Sequence, residues 1–146
     1  MALDQVLTPR PWQVDAAECA LRGNVIVFAE TGTGKTLVAC LATQQALEMG
    51  KVAFIIPQSR LLAHQQFLRM QEFLGASRSS VVEVTGYTTG DWGELEWCDC
   101  RKRFDVFVGT ADTFQHAFVD FGFLSLHEFS LIVIDECHHV EGNSSI

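Results

Sequence analysis

Proline is scarce, with 3 in 146 residues, and basic side chains are few, 10 Lys+Arg against 18 Asp+Glu. Long apolar runs are missing as well. Val25-Ile26-Val27-Phe28-Ala29 is five residues long, whereas a membrane-spanning helix needs about 20. The start, MALDQVLTPRP, carries neither the basic stretch nor the apolar core of a secretory signal. Five cysteines, at positions 19, 40, 98, 100 and 137, are an odd number without framework spacing. These absences argue against membrane-embedded, secreted and disulfide-stapled classes, and the expectation is a cytoplasmic (or nuclear) domain with reduced thiols. The net charge of −8 argues against a partner held by the protein's overall field. Any nucleic-acid contact has to be local, made by backbone amides and a few placed side chains.

What is present is a chain with enough apolar surface to fold. Hydrophobic residues make up 48% and charged residues 19%, a profile that excludes intrinsic disorder. The length fits one domain that buries roughly two-thirds of its unfolded surface. No repeat, low-complexity tract or Pro/Ser/Gly-rich linker interrupts it. Pro11 to Arg22 reads as a helix, with Pro early and Gly23 just past its end. Val25 to Ala29 reads as a strand buried on both faces. A Gly-rich turn leads to a helix from about Lys35 to Met49, then Val52 to Ile56 forms a second buried strand. Ser59 is placed to cap a helix ending at Leu74, with Leu61, Leu62, Gln65, Leu68 and Leu74 near one face. Further strands are expected at Ser80–Thr85, Asp105–Thr110 and Leu131–Asp135, with a short helix from Ala111 to Phe121. Tyr87 to Arg103 has no clear period and reads as an irregular surface excursion. Short strands alternating with helices define an α/β fold with a parallel sheet sandwiched by helices.

Two motifs carry chemistry. Ala29-Glu30-Thr31-Gly32-Thr33-Gly34-Lys35-Thr36 follows an expected buried strand and opens a helix, the setting a phosphate-binding loop requires. Backbone N–H groups around Thr31, Gly32, Thr33 and Gly34 point at an anion that the helix N-terminus also favours. Lys35 supplies a point charge for the β- and γ-phosphates of ATP, and the Thr36 hydroxyl is a Mg²⁺ ligand. The general pattern has Gly where Ala29 stands. The second motif is Leu131-Ile132-Val133-Ile134-Asp135-Glu136, an apolar strand ending in two carboxylates. In open parallel sheets ligands bind at the carboxyl ends of strands. Asp135 is therefore assigned to Mg²⁺ and Glu136 to the water that attacks the γ-phosphate.

With its neighbours, Asp135-Glu136-Cys137-His138 resembles the DExH box of superfamily 2 helicases, and Ala29 to Thr36 resembles their motif I, which accepts Ala first. The other N-terminal motifs fall in order. Arg10 and Gln13, around Pro11-Trp12, look like the adenine-reading Q motif. Pro57-Gln58-Ser59-Arg60-Leu61, with Gln65 and Gln66, looks like motif Ia. Thr85-Gly86 resembles motif Ib, and Val108-Gly109-Thr110-Ala111 motif Ic. The spelling Asp-Glu-Cys-His-His, after Phe123-Leu124-Ser125-Leu126, is most similar to the Dicer and RIG-I-like group of double-stranded-RNA-dependent ATPases. The resemblance runs from about residue 8 to 140.

That resemblance implies a P-loop, RecA-like fold. It implies that His138 couples the DExH box to other motifs, and that Arg60, Thr85, Gly86 and Thr110 touch the sugar-phosphate backbone of RNA. Such contacts read A-form shape and 2′-hydroxyls rather than base sequence. Asp112, close to Thr110, is a departure, since a carboxylate there repels phosphate. The resemblance also implies a second helicase lobe carrying an arginine finger, and a motif III strand lying between the phosphate-loop strand and the DExH strand. Neither is in this sequence. The expectation is therefore a partial N-terminal lobe over 1–146, truncated after the DExH strand, with a gap or non-native pairing behind the active site and little activity alone. Two other readings stand beside it: a non-catalytic nucleotide- or RNA-binding fragment, and the motor lobe of a DNA-directed superfamily 2 translocase.

Remaining features read as structural. Cys98-Asp99-Cys100 lacks a second pair or a nearby His for zinc. Arg101-Lys102-Arg103 is a solvated face, His139 is packed, and Phe114, Phe118, Phe121 and Phe123 are core.

Overall fold

The computed structural model describes residues 8–28, 34–57, 59–75 and 80–136. The chain divides into two compact units, one running to Gln45 and one starting at Ala46.

The first unit holds two helices. α1 (Pro11–Arg22) starts where expected, with Pro at the first turn and Gly23 beyond its end. α2 (Lys35–Ala46) opens directly after Gly34 and buries Val38, Cys40, Ala42, Thr43 and Ala46. Between them, the expected strand does not form. Residues 25–28 belong to no sheet, and Ile26 and Phe28 are 83% and 98% exposed. An apolar run becomes a buried strand only if neighbours take up its backbone N–H and C=O groups, and no strand among the described residues pairs with this one. Ala29 lies outside the described residues.

The second unit is a four-stranded, all-parallel sheet of β1 (Lys51–Ile56), β2 (Val81–Val84), β3 (Val106–Thr110) and β4 (Phe129–Ile134), in the order β2-β3-β1-β4. Its registers put Val52 beside Val106 and Ile56 beside Thr110, so the strand ends are aligned. β1 lies inside the sheet and is buried from Val52 to Ile56, whereas β4 lies on the edge and leaves Ile132 41% exposed. Ala53, Ile55 and Phe107 face a core completed by Trp97, Cys100, Phe114, Ala117 and Leu124. The alternate residues, Val52, Phe54, Val106 and Val108, point the other way.

α3 (Arg60–Leu74) has the expected ends: Ser59 Oγ accepts from Leu62 N–H and Gly75 terminates the helix. Its buried face differs from the expected one. Ala63, Met70 and Leu74 are buried, while Leu61, Leu62 and Leu68 are 66%, 40% and 48% exposed and Gln65 is exposed. Apolar residues occupy most of the helix circumference, so periodicity alone selects no face, and the close fit of Ala63 against the sheet decides it.

The stretch from Tyr87 to Arg103 is ordered rather than irregular. After the short α4 (Gly86–Thr89), α5 (Glu94–Arg103) buries Trp97 and Cys100 in the core. Glu94 and Glu96 sit in its first turn and Arg101, Lys102 and Arg103 in its last, each sign complementing the helix dipole. Lys102 and Arg103 are exposed, as expected of that basic cluster, whereas Arg101 is half-buried and pairs with Glu128. Beyond β3, α6 (Ala111–Gln115) runs into a π-helical turn, His116–Asp120. Phe114 is buried, Phe118 and Phe123 are half-buried, and Phe121, expected in the core, is 65% exposed.

Candidate functional site

In the first unit the sequence-predicted nucleotide residues meet through one side chain. Gln13 is 4% exposed. Its Oε1 accepts from Arg10 N–H at 2.7 Å and its Nε2 donates to Gly34 C=O at 3.1 Å. The glutamine expected to read adenine is therefore fastened to the last glycine of the expected phosphate loop. Gly34 has φ +92, and a Cβ there would lie 2.4 Å from Gln13 Nε2. The backbone conformation favours glycine, and a side chain there would also push the Gln13 amide aside. Lys35 and Thr36 take the first two positions of α2, where N–H groups lack intrahelical partners. Thr31, Gly32 and Thr33 lie outside the described residues. An open cleft of about 510 Å³ lies in the same unit, lined by Arg10, Trp12, Ala16, Cys19 and residues 25–28.

In the second unit parallel pairing brings four strand ends to one edge. Asp135 follows β4, and its N–H donates to Ile55 C=O at 3.0 Å, extending the ladder by one residue. Glu136 then takes φ +51, and its N–H donates to Asp135 Oδ1 at 3.1 Å. A left-handed glutamate costs about 1–2 kcal/mol. Strain of that kind clusters at functional turns. His138 lies outside the described residues.

Along the same edge stand the residues expected to meet nucleic acid. Thr110 ends β3 in half-buried position, its Oγ1 3.1 Å from Thr113 Oγ1. Thr85 follows β2 but is 1% exposed. Its N–H donates to Thr88 Oγ1 at 2.8 Å and its C=O accepts from Thr89 Oγ1 at 2.9 Å. Its side chain has no exposed surface for a phosphate, so this residue shapes the turn and Gly86, which is exposed, forms its outer face. Gly109 is required where β2 and β3 close up, since a Cβ there would fall 1.9 Å from Val84 C=O. Arg60, in the first turn of α3, lays its guanidinium 3.8 Å over the Tyr87 ring. Sequence pattern alone gives Tyr87 no role. The available signal was its place directly after Thr85-Gly86.

Cys98 and Cys100 stand two apart on α5, which turns them to different sides. Cys98 is half-buried, and burial pushes the Cys100 thiol up to about 11, with Asp99 adding to the effect. No group of three or more His, Cys, Asp or Glu suited to a metal occurs among the described residues. None of the described helices is long and apolar enough to cross a membrane.

A parallel α/β sheet, a Gly-Lys-Thr helix start and an Asp-Glu strand end define a nucleotide-binding domain of the phosphate-loop class. The DEAD/DEAH box helicase family profile matches residues 10–145, and the chain belongs to that family. It is similar to Endoribonuclease Dicer homolog 3b of Oryza sativa subsp. japonica, 33% identical over 150 residues that cover 93% of this chain and 9% of that protein. It is also similar to Endoribonuclease Dicer homolog 2 of Arabidopsis thaliana, 31% identical over 149 residues covering 91% and 10%. The chain thus spans about a tenth of the length of these curated relatives. The crystal structure of the Pyrococcus furiosus Hef helicase domain matches with a TM-score of 0.77 and 27% identity, covering 94% of this chain and 28% of that one. The fold is that of a RecA-like helicase domain.

Proposed function

We propose that this chain is the ATP-binding lobe of a nucleic-acid-dependent ATPase of the Dicer or RIG-I-like kind, working on double-stranded RNA together with a second helicase lobe. The observation that carries the nucleotide site is the joint between Gln13 and Gly34, which holds the Q motif against the phosphate loop. The RNA reading draws support from the Asp-Glu-Cys-His-His spelling and from relatives named as endoribonucleases. The need for further chain draws support from the exposure of residues 25–28 among the described residues and from the fraction of each relative that this chain spans.

In this reading the amides of Thr31, Gly32, Thr33 and Gly34 cradle the phosphates, and Arg10 and Gln13 meet the adenine end once the Gln13 amide exchanges its bond to Arg10 N–H or Gly34 C=O for the base. Lys35 carries the positive charge toward the β- and γ-phosphates, and Glu136 orients or deprotonates the attacking water. His138 links hydrolysis to the rest of the motor. The metal donors fit Mg²⁺, since the Thr36 hydroxyl and Asp135 carboxylate are the hard oxygen ligands that ion takes. Bound there, Mg²⁺ neutralises charge on the phosphate oxygens. Arg60, Gly86 and Thr110 face the sugar-phosphate backbone, with Thr85 holding their turn. Placement on loop amides and hydroxyls agrees with a chain of net charge −8.

The test uses the longer protein that contains this segment. Lys35→Ala is expected to abolish ATP binding, and Glu136→Gln to keep binding while losing turnover. Unchanged affinity in the first or an active enzyme in the second refutes the assignments. Stimulation of ATPase by an RNA duplex but not a DNA duplex supports the RNA reading; the reverse supports a DNA-directed translocase. Absence of any turnover with either duplex leaves a nucleotide-binding module.

A further inference from the structure

Tyr87 is the only tyrosine in the chain, and it stands 79% exposed on a helix of four residues. An aromatic ring left in water beside a turn calls for a partner, and the partner is Arg60. The guanidinium carbon lies 3.8 Å from the ring centroid, well inside cation–π range. A planar guanidinium that rests face-on against a ring keeps its N–H donors available at its rim. No carboxylate takes up those donors among the described residues, although the chain carries 18 Asp and Glu. Glu83, on the adjoining β2, is held instead by His64, one turn along α3 from Arg60, at 2.6 Å. Among the described residues the arginine is thus braced by an aromatic ring, and no carboxylate forms an ion pair with it.

We propose that Tyr87 is a positioning residue for Arg60: its ring holds the guanidinium flat at the carboxyl edge of the sheet, with the in-plane donors set to grip a backbone phosphate of the nucleic acid. This rests on the reading of Arg60 as a nucleic-acid contact. The physical gain is preorganisation. A free arginine loses rotamer freedom when it clamps a phosphate, whereas one already laid on a ring has lost much of it beforehand. Bidentate donation is the part that benefits, because both N–H groups must be aligned at once. Tyr87 needs no contact with the RNA to act in this way.

The experiment is a double-mutant cycle on the 146-residue chain, with a short labelled RNA duplex as probe and affinity measured across a salt series. Tyr87→Leu is expected to weaken binding about two- to fivefold, the value of an exposed cation–π pair. Tyr87→Phe keeps the ring and is expected to bind like the parent. In an Arg60→Ala background, Tyr87→Leu is expected to have no further effect. Arg60→Ala lowers the salt dependence by about one phosphate contact, whereas Tyr87→Leu leaves that slope unchanged. Equal weakening by Tyr87→Leu in both backgrounds overturns the proposal, since the ring then meets RNA itself. Parent-like binding by Tyr87→Leu alongside weak binding by Arg60→Ala overturns it while sparing Arg60. Parent-like binding by Arg60→Ala removes the Arg60 reading and the proposal together.

Discussion

Replacing Gly34 by alanine tests the joint on which the nucleotide site rests. An alanine at φ +92 costs about 1–2 kcal/mol in backbone strain alone. Its Cβ would also lie 2.4 Å from Gln13 Nε2, so the amide must move. Gln13 has little room to do so: it is 4% exposed and its Oε1 is held by Arg10 N–H at 2.7 Å. Displacing it breaks the bond to Gly34 C=O and loosens the other, each worth about 0.5–1.5 kcal/mol. The expected cost of Gly34→Ala is therefore about 2–4 kcal/mol. Gln13→Ala loses the same two bonds but has no overlap to relieve, and is expected to cost about 1–3 kcal/mol. In the double variant those bonds are lost once only and the overlap disappears. Its cost should fall short of the summed single effects by about 1–3 kcal/mol, as for residues that share a contact. Hydrogen exchange of the α1 amides in the four proteins measures this coupling, and a titration with an ATP analogue reads its effect on the site. Additive single effects would refute the argument, as would a Gly34→Ala cost below about 1 kcal/mol.

Two further outcomes follow from the second unit. Lys51, whose side chain is 16% exposed, donates through Nζ to the carbonyls of Arg101 and Phe104 at 2.6 and 2.7 Å, capping the negative end of α5. Lys51→Met keeps the apolar stem and strands both carbonyls, so urea unfolding should show a loss of about 2–4 kcal/mol, and less than about 1 would refute the clamp. Burial acts to raise the carboxyl of Glu128, but its hydrogen bond and charge interaction with Arg101, helped by Ser125 N–H and Lys51, outweigh this and hold it below its ordinary value of 4.5. A lowered carboxylate stabilises the fold above that value and loses its contribution as pH falls through the folded one. Parent and Glu128→Gln should therefore differ by up to about 1 kcal/mol at pH 7, a solvent-screened amount. Their unfolding curves should converge in acid, and a gap that persists there would contradict the sign.

Much of the fold was legible because its signals are local. Pro11 and Gly23 bound α1, Ser59 and Gly75 bound α3, and the apolar runs of β1 and β4 announce strands. α5 was legible in principle as well. Its acidic first turn, basic last turn and the i, i+3 pair Trp97 and Cys100 are helix signals, hidden by the Gly and Trp residues just before it. The buried face of α3 was not legible, because Leu61, Leu62 and Leu68 are as apolar as Ala63 and Met70. Which of them meets the sheet depends on how closely the helix approaches it.

The candidate site divides in the same way. Order along the chain placed Lys35, Thr36, Asp135 and Glu136 within motifs, because phosphate binding needs glycines, a cation and a helix start in sequence. It could not show that Gln13 would close on Gly34, that Thr85 would turn its side chain inward, or that Arg60 would come to rest on Tyr87. Nor could it show that residues 25–28, the most strand-like run in the first unit, would stand unpaired. Residue type and spacing are written into the chain and determine helix ends, strand propensity and the chemistry on offer. A strand, a buried face or a stacked arginine depends on groups distant in sequence, and only the tertiary structure decides which of those groups arrive.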